Sequence, residues 1–189
     1  MTRSLFAPAL LASALLAAAP AFAQQKVVPA QSEISFTSHQ MGVPVDGKFR
    51  TWDAQIAFDP KKPEAGKVSF TIDTGSATFG VPETDAEVPK APWFNAAKFP
   101  KATFQSTAIK ATGKGQYAVS GQLTVKGASQ PVVVPVTLKQ AGATTTATGT
   151  FAIKRLDFKI GEGEWADTST VANNVEVHFK LTVTGVGAL

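Results

Sequence analysis

Two histidines and no cysteine restrict the chemistry open to this chain. Nucleophilic catalysis needs a general base beside the nucleophile. His39 lies near a Met41-Gly42 turn and His178 on the polar face of a strand, and neither sits in a nucleophile elbow or at metal-ligand spacing. Both read as solvated surface histidines. Zinc sites built from cysteine or clustered histidine are excluded by count. Glu162, Glu164 and Asp167 crowd around Trp165, but the run from Gly161 to Asp167 lacks the spacing of a calcium loop and reads as a polar turn. No metal, cofactor or catalytic group is therefore expected.

Arg155 and Asp157 continue the parity of Phe151 and Ile153, which turns them toward the interior if that strand stays regular. A guanidinium placed there must be paired. The plainer reading is an ion pair at a barrel rim; the functional one is a polar anchor for a ligand head group. An enzyme using Asp157, Arg155 or His39 as acid-base group on a lipophilic substrate is the alternative from another class. A barrel filled solid, with a structural or stress-related role, is a third.

Aromatic area is the other resource. Trp93, Phe94, Phe99 and Phe104 fall within one segment broken by Pro100, and such rings seal a core or line a pocket. Pro92 and Pro100 bracket a piece too short for a long helix, so a short helical turn across a sheet is expected near residues 90–98. The remaining rings expected to line the interior are Phe36, Phe49, Trp52, Phe58, Phe70, Phe151 and Phe179, with Trp93, Phe94 and Phe99 near its mouth.

These side chains need a scaffold, and the chain supplies strands. Residues 1–23 carry Arg3, an apolar run and a closing Ala21-Phe22-Ala23, the pattern of a cleaved secretory signal peptide. Export to the periplasm, or secretion, is the expectation. Residues 24–189 are the size of one domain. The formal net charge of +4 is spread along the chain, whereas nucleic-acid binding calls for a basic stripe. Contact with a membrane surface and a homodimer stay open.

Period-two alternation recurs throughout, as in Tyr117, Val119, Gly121, Leu123 and Val125, then Val132, Val134, Val136 and Leu138 across a Gly127-Ala128-Ser129 turn. Pro131 and Pro135 lie on the outer face of the second strand and mark it as an edge or a bulged strand. Phe49 and Trp52 have opposite parity, which calls for a bulge between them. The stretch from Gly75 to Pro92 reads as a lid or loop. Short strands with one apolar face predict an all-β closed barrel or a two-sheet sandwich, and closure, which removes edges, favours an antiparallel barrel of about eight strands. Such a barrel either fills with its own side chains or holds one small ligand. Burying about 15 methylenes at ~0.8 kcal/mol each is worth roughly 12 kcal/mol, enough to bind a hydrocarbon tail with few polar contacts.

The pattern as a whole resembles the YceI-like family of lipocalin-like, lipid-binding periplasmic proteins. The resemblance spans nearly all of residues 24–189. It rests on Val45-Asp46-Gly47-Lys48-Phe49, Phe58-Asp59-Pro60, the segment from Trp93 to Pro100 with Thr103-Phe104-Gln105-Ser106, the segment from Gly121 to Gly127, and Arg155-Leu156-Asp157-Phe158. It implies an extended antiparallel barrel, lipocalin-like in build, whose cavity takes a long isoprenoid chain, either a polyprenyl pyrophosphate or an isoprenoid quinone, and a binding or carrier role. Where relatives carry Asp-x-His-Leu, this chain reads Asp85-Ala86-Glu87-Val88, so no head-group contact of that histidine carries over.

Overall fold

Strict alternation through Gln116–Val125 puts Tyr117, Val119, Leu123 and Val125 on one buried face, and the same logic repeats around the molecule. The computed structural model describes residues 25–189, and the signal-peptide reading of residues 1–23 lies outside the described residues. The strands are β1 Lys26–Val27, β2 Glu33–Gln40, β3 Val43–Phe49, β4 Trp52–Ala57, β5 Lys67–Asp73, β6 Ala77–Thr78, β7 Lys101–Gly113, β8 Gln116–Val125, β9 Ala128–Ala141, β10 Thr144–Lys154 and β11 Asn174–Thr184, with one α-helix, α1, at Pro82–Glu87. All belong to a single sheet ordered β4-β5-β7-β8-β9-β10-β11-β2-β3-β6, with β1 added to β11, and every pairing is antiparallel. The sheet curls into a half-barrel. The strand count exceeds the expected eight because β1 and β6 are two-residue strands that alternation cannot reveal and because β3 and β4 are separate.

No bulge joins Phe49 to Trp52. The chain leaves the sheet at Arg50 and Thr51, and β3 pairs with β2 and β6 while β4 pairs with β5. The parity change is thus a change of partner. The ends of the sheet are stapled here: Arg50 N donates to Ser76 O, Thr51 N to Ser76 Oγ, and Asp73 N to Thr51 O.

The β8–β9 turn is Lys126-Gly127, both at positive φ, one residue earlier than expected. β9 pairs with β8 from Ala128 to Thr137 and with β10 only from Thr137 to Ala141, so its proline-bearing half has one partner. Pro131 and Pro135 account for this, since neither can donate to a second neighbour. The helical element also differs in place. It occupies 82–87, where Pro82 starts the helix, while residues 90–98 form successive turns because Pro89 and Pro92 interrupt helical bonding and Asn95 sits at φ 49°.

Candidate functional site

Inside the curl lies a cavity of about 500 Å³, walled almost entirely by aliphatic and aromatic side chains from every long strand. Its volume falls in the usual range of ligand pockets, ~300–1,000 Å³. Along β10 the wall runs from Thr145 to Ile153, which at strand rise is a length of ~26 Å. The space is therefore elongated.

Rings keep the lumen open by lying flat against the sheet. Phe36 faces Gly47 across the β2–β3 ladder, and Phe179 faces Gly149 across β10–β11. A Cβ at either glycine would come within 2.5 Å of the ring, so each glycine makes room for a ring that would otherwise project into the cavity. Phe36 also contacts Phe49 and Phe79, at 5.3 Å between centroids in each case, and Phe49 meets Phe94 at 5.8 Å. On the opposite wall Phe58 stands edge-on to Tyr117 at 5.0 Å and Phe70 approaches Phe104 at 6.4 Å. Phe151 lines the lumen from β10.

Trp93 meets Trp165 at 5.4 Å between centroids, and both reach the cavity from two loops, residues 88–99 and 155–172. The loops are laced together. Gly161 N and Glu162 N donate to Pro92 O at 2.8 and 3.0 Å. Lys126, buried despite its charge, donates from Nζ to Ala91 O at 2.8 Å, Lys159 O at 2.6 Å and Glu162 Oε2 at 2.8 Å. This lysine escapes a reading by alternation. The Lys126-Gly127 pair between two clean strands is the signal that could have located its turn, but nothing local tells that its side chain folds inward.

Two of the singled-out rings lie elsewhere. Trp52 faces inward on β4 but packs against the Ala147, Leu181 and Val183 cluster of β10 and β11 and is not part of the cavity wall. Phe99 covers Gly127 outside the lumen, while its carbonyl accepts from Thr74 Oγ1 at 2.7 Å. The mouth is formed instead by Trp93 and Trp165, with Glu83, Thr84 and Glu87 of α1 and Ser38 and Gln40 of β2 on the cavity wall.

Arg155 is only 2% exposed and makes no ion pair among the described residues. Its Nε donates to Ala172 O at 3.1 Å, Nη1 to Ile160 O and Gly161 O at 2.8 and 2.9 Å, and Nη2 to Trp165 O and Val171 O, both at 2.7 Å. All five guanidinium donors are thus taken by backbone carbonyls, and burial pushes its pKa below the ordinary value. Asp157 is exposed and does not reach it, because the strand ends at Lys154 and the 3-10 turn Arg155–Phe158 rotates the chain. The expected rim ion pair is absent among the described residues, and the guanidinium organises a loop without offering free donors to a head group. His39 points to the outer face of β2 and His178 contacts Thr37 and Thr150 there, so the acid-base candidates do not converge on the cavity.

Asp85 accepts from Thr78 Oγ1 at 2.5 Å and from Phe79 N at 2.6 Å, and these bonds hold its carboxyl below the usual pKa. They pin α1 to β6, with Glu83 and Glu87 at the cavity's rim. Glu162 is likewise held low, first by its hydrogen bond from Lys126. A lowered carboxylate stabilises the fold above the ordinary carboxylate range and loses that contribution as pH falls through its native pKa. Glu162→Gln is accordingly expected to lower the protection factors of the Trp93, Gly161 and residue-162 amides at neutral pH, and acidification of the parent protein to lower them as well once the slower intrinsic exchange at low pH is divided out. Identical exchange in parent and variant at neutral pH would remove this lacing role.

Comparison with known proteins places this geometry. The model of the YceI-like domain matches residues 25–183. The chain belongs to the YceI-like family. It is 36% identical over 138 residues to a UPF0312 protein of Azotobacter vinelandii, covering 71% of this chain and 72% of that one. A UPF0312 protein of Shewanella baltica is 31% identical over 198 residues, covering 98% and 99%. Among solved structures, Burkholderia cenocepacia BcnA superposes with a TM-score of 0.81 at 44% identity, over 83% of this chain and 99% of that one. A polyisoprenoid-binding domain from Saccharophagus degradans shares the fold, with a TM-score of 0.70 at 16% identity over 85% and 98%.

Proposed function

We propose that this YceI-like protein binds a long-chain isoprenoid lipid in its cavity and carries it through the periplasm. The observation that carries the reading is the elongated, almost wholly apolar lumen. Apolar burial alone supplies enough free energy to hold a hydrocarbon tail there. The description of the Saccharophagus domain as polyisoprenoid-binding supports it by likeness of fold. Export of residues 24–189 after loss of a leader fits a carrier between membranes, and cell fractionation checks the compartment.

Of the two head groups weighed, the uncharged quinone is favoured over pyrophosphate, and the same reasoning admits an uncharged alcohol. A pyrophosphate needs free cationic or N–H donors, whereas Arg155 spends its five donors on carbonyls and Glu83 and Glu87 put negative charge at the rim. Solvent extraction of the periplasmic protein followed by mass spectrometry is expected to yield an isoprenoid quinone or alcohol. An empty lumen, together with no uptake of such lipids by the purified protein, would end this reading. Trp93→Ala, which opens the mouth beside Trp165, is expected to speed lipid release about tenfold while lowering Tm by less than ~5 °C. The reverse ordering would make Trp93 ordinary core.

A further inference from the structure

One polar atom in the wall has nothing to bond. Thr145 is 1% exposed, and its Oγ1 is the one buried side-chain nitrogen or oxygen left without a hydrogen-bond partner among the described residues. Native interiors pair such groups, so an exception calls for a cause. Valine has nearly the same shape and would suit the site without an unpaired hydroxyl. Thr145 lies on the cavity wall at the start of β10, in register with Val183 on one side and Gln140 on the other. Gln140 cannot satisfy it while its amide holds the C-terminal segment, donating to Val186 O and Gly187 O and accepting from Leu189 N. That segment covers this end of the lumen, with Val186 on the wall. The mouth with Trp93 and Trp165 lies near the other end of β10, ~26 Å away along the strand.

We infer that Thr145 Oγ1 donates to an uncharged oxygen of the bound lipid, the carbonyl or hydroxyl of a quinone or alcohol head. The head then lies at the inner end and the tail runs out along the aromatic wall toward Trp93 and Trp165. A charged oxygen does not fit there, because no cation accompanies the hydroxyl and a buried charge with a single neutral donor is strongly disfavoured. This inference rests on the lipid-binding reading and adds to it an anchor and a direction of entry.

The test compares three probes against the full mature protein: an isoprenoid quinone, a polyprenol, and squalene, which is a polyprene hydrocarbon without oxygen. The parent protein is expected to prefer the two oxygenated probes over squalene by roughly 3- to 10-fold, the scale of one neutral hydrogen bond. Thr145→Val is expected to erase that preference, to leave squalene binding intact and to raise the Tm of the ligand-free protein by ~3 °C. Thr145→Ser, which keeps the hydroxyl, retains the preference. If Thr145→Val keeps the preference for oxygenated probes, the head lies elsewhere, a water satisfies Thr145, and the inference falls. Equal binding of all three probes to parent and variant defeats the anchor but leaves lipid binding standing. No binding of any probe removes the lipid-binding reading, and the anchor with it.

Discussion

Arg155→Met is expected to cost about 3–5 kcal/mol of stability, the scale seen when one side of a buried charged network is removed. The carbonyls of Ile160, Gly161, Trp165, Val171 and Ala172 would lose their donor together, and each buried carbonyl left unpaired is penalised by about 1–3 kcal/mol unless water reaches it. For a domain of this size the drop corresponds to ~10 °C or more in Tm. Arg155→Lys is expected to fare little better, because an ammonium has three donors at one point where the site needs a planar fork reaching five carbonyls. Thermal melts and urea titration check both. A loss under about 1 kcal/mol for the methionine variant would mean that the loop stands without the guanidinium, and that its donors are free to serve a ligand after all.

That arginine also shows how far alternation carries. Parity along Phe151 and Ile153 turned Arg155 inward, and the structure buries it on the cavity wall although the strand has ended at Lys154. Parity failed two residues later, where the 3-10 turn exposes Asp157 and buries Phe158. A strand's period holds only while its hydrogen bonds continue, and no local feature of Arg155-Leu156-Asp157-Phe158 announces that they stop at Lys154. The one-sided apolar strands and their antiparallel curl were legible because burial on one face of a pleated sheet must repeat every second residue. What alternation cannot convey is which wall residue meets which. Trp52 keeps inward parity yet is taken up by packing on Leu181 and Val183, and Phe99 is turned outward by the bends after Asn95. Lys126 was hidden for a further reason: a charged residue in a hairpin turn ordinarily faces water, and only contacts from residues 91–92, 159 and 162, far away in sequence, give this one a reason to be buried.

Filling the lumen separates a hollow barrel from a packed one more sharply than removing any lining residue. Ala147→Trp introduces an indole at a cavity wall position on β10, opposite Leu138 and Leu181 in the ladders. In a close-packed interior such an insertion costs about 1–3 kcal/mol or more through displaced neighbours. At position 147 Trp52, Leu138 and Leu181 pack on one side, but the ring can turn into the lumen on the other, so it costs less there than in a closed core. The expected result is a Tm within ~5 °C of the parent, together with at least about a tenfold loss of isoprenoid binding. Ala77→Trp is the control, since Ala77 is 1% exposed and lies off the cavity wall, and it is expected to unfold the protein or to lower Tm well beyond the cavity variant. The lipid itself gives a second readout. A ligand that binds only the folded state raises apparent stability with its concentration, so added isoprenoid should lift the parent's Tm and leave that of Ala147→Trp unmoved. If the two tryptophan variants are destabilised alike, position 147 has no room to spare and the lumen is not the open space on which a lipid carrier depends.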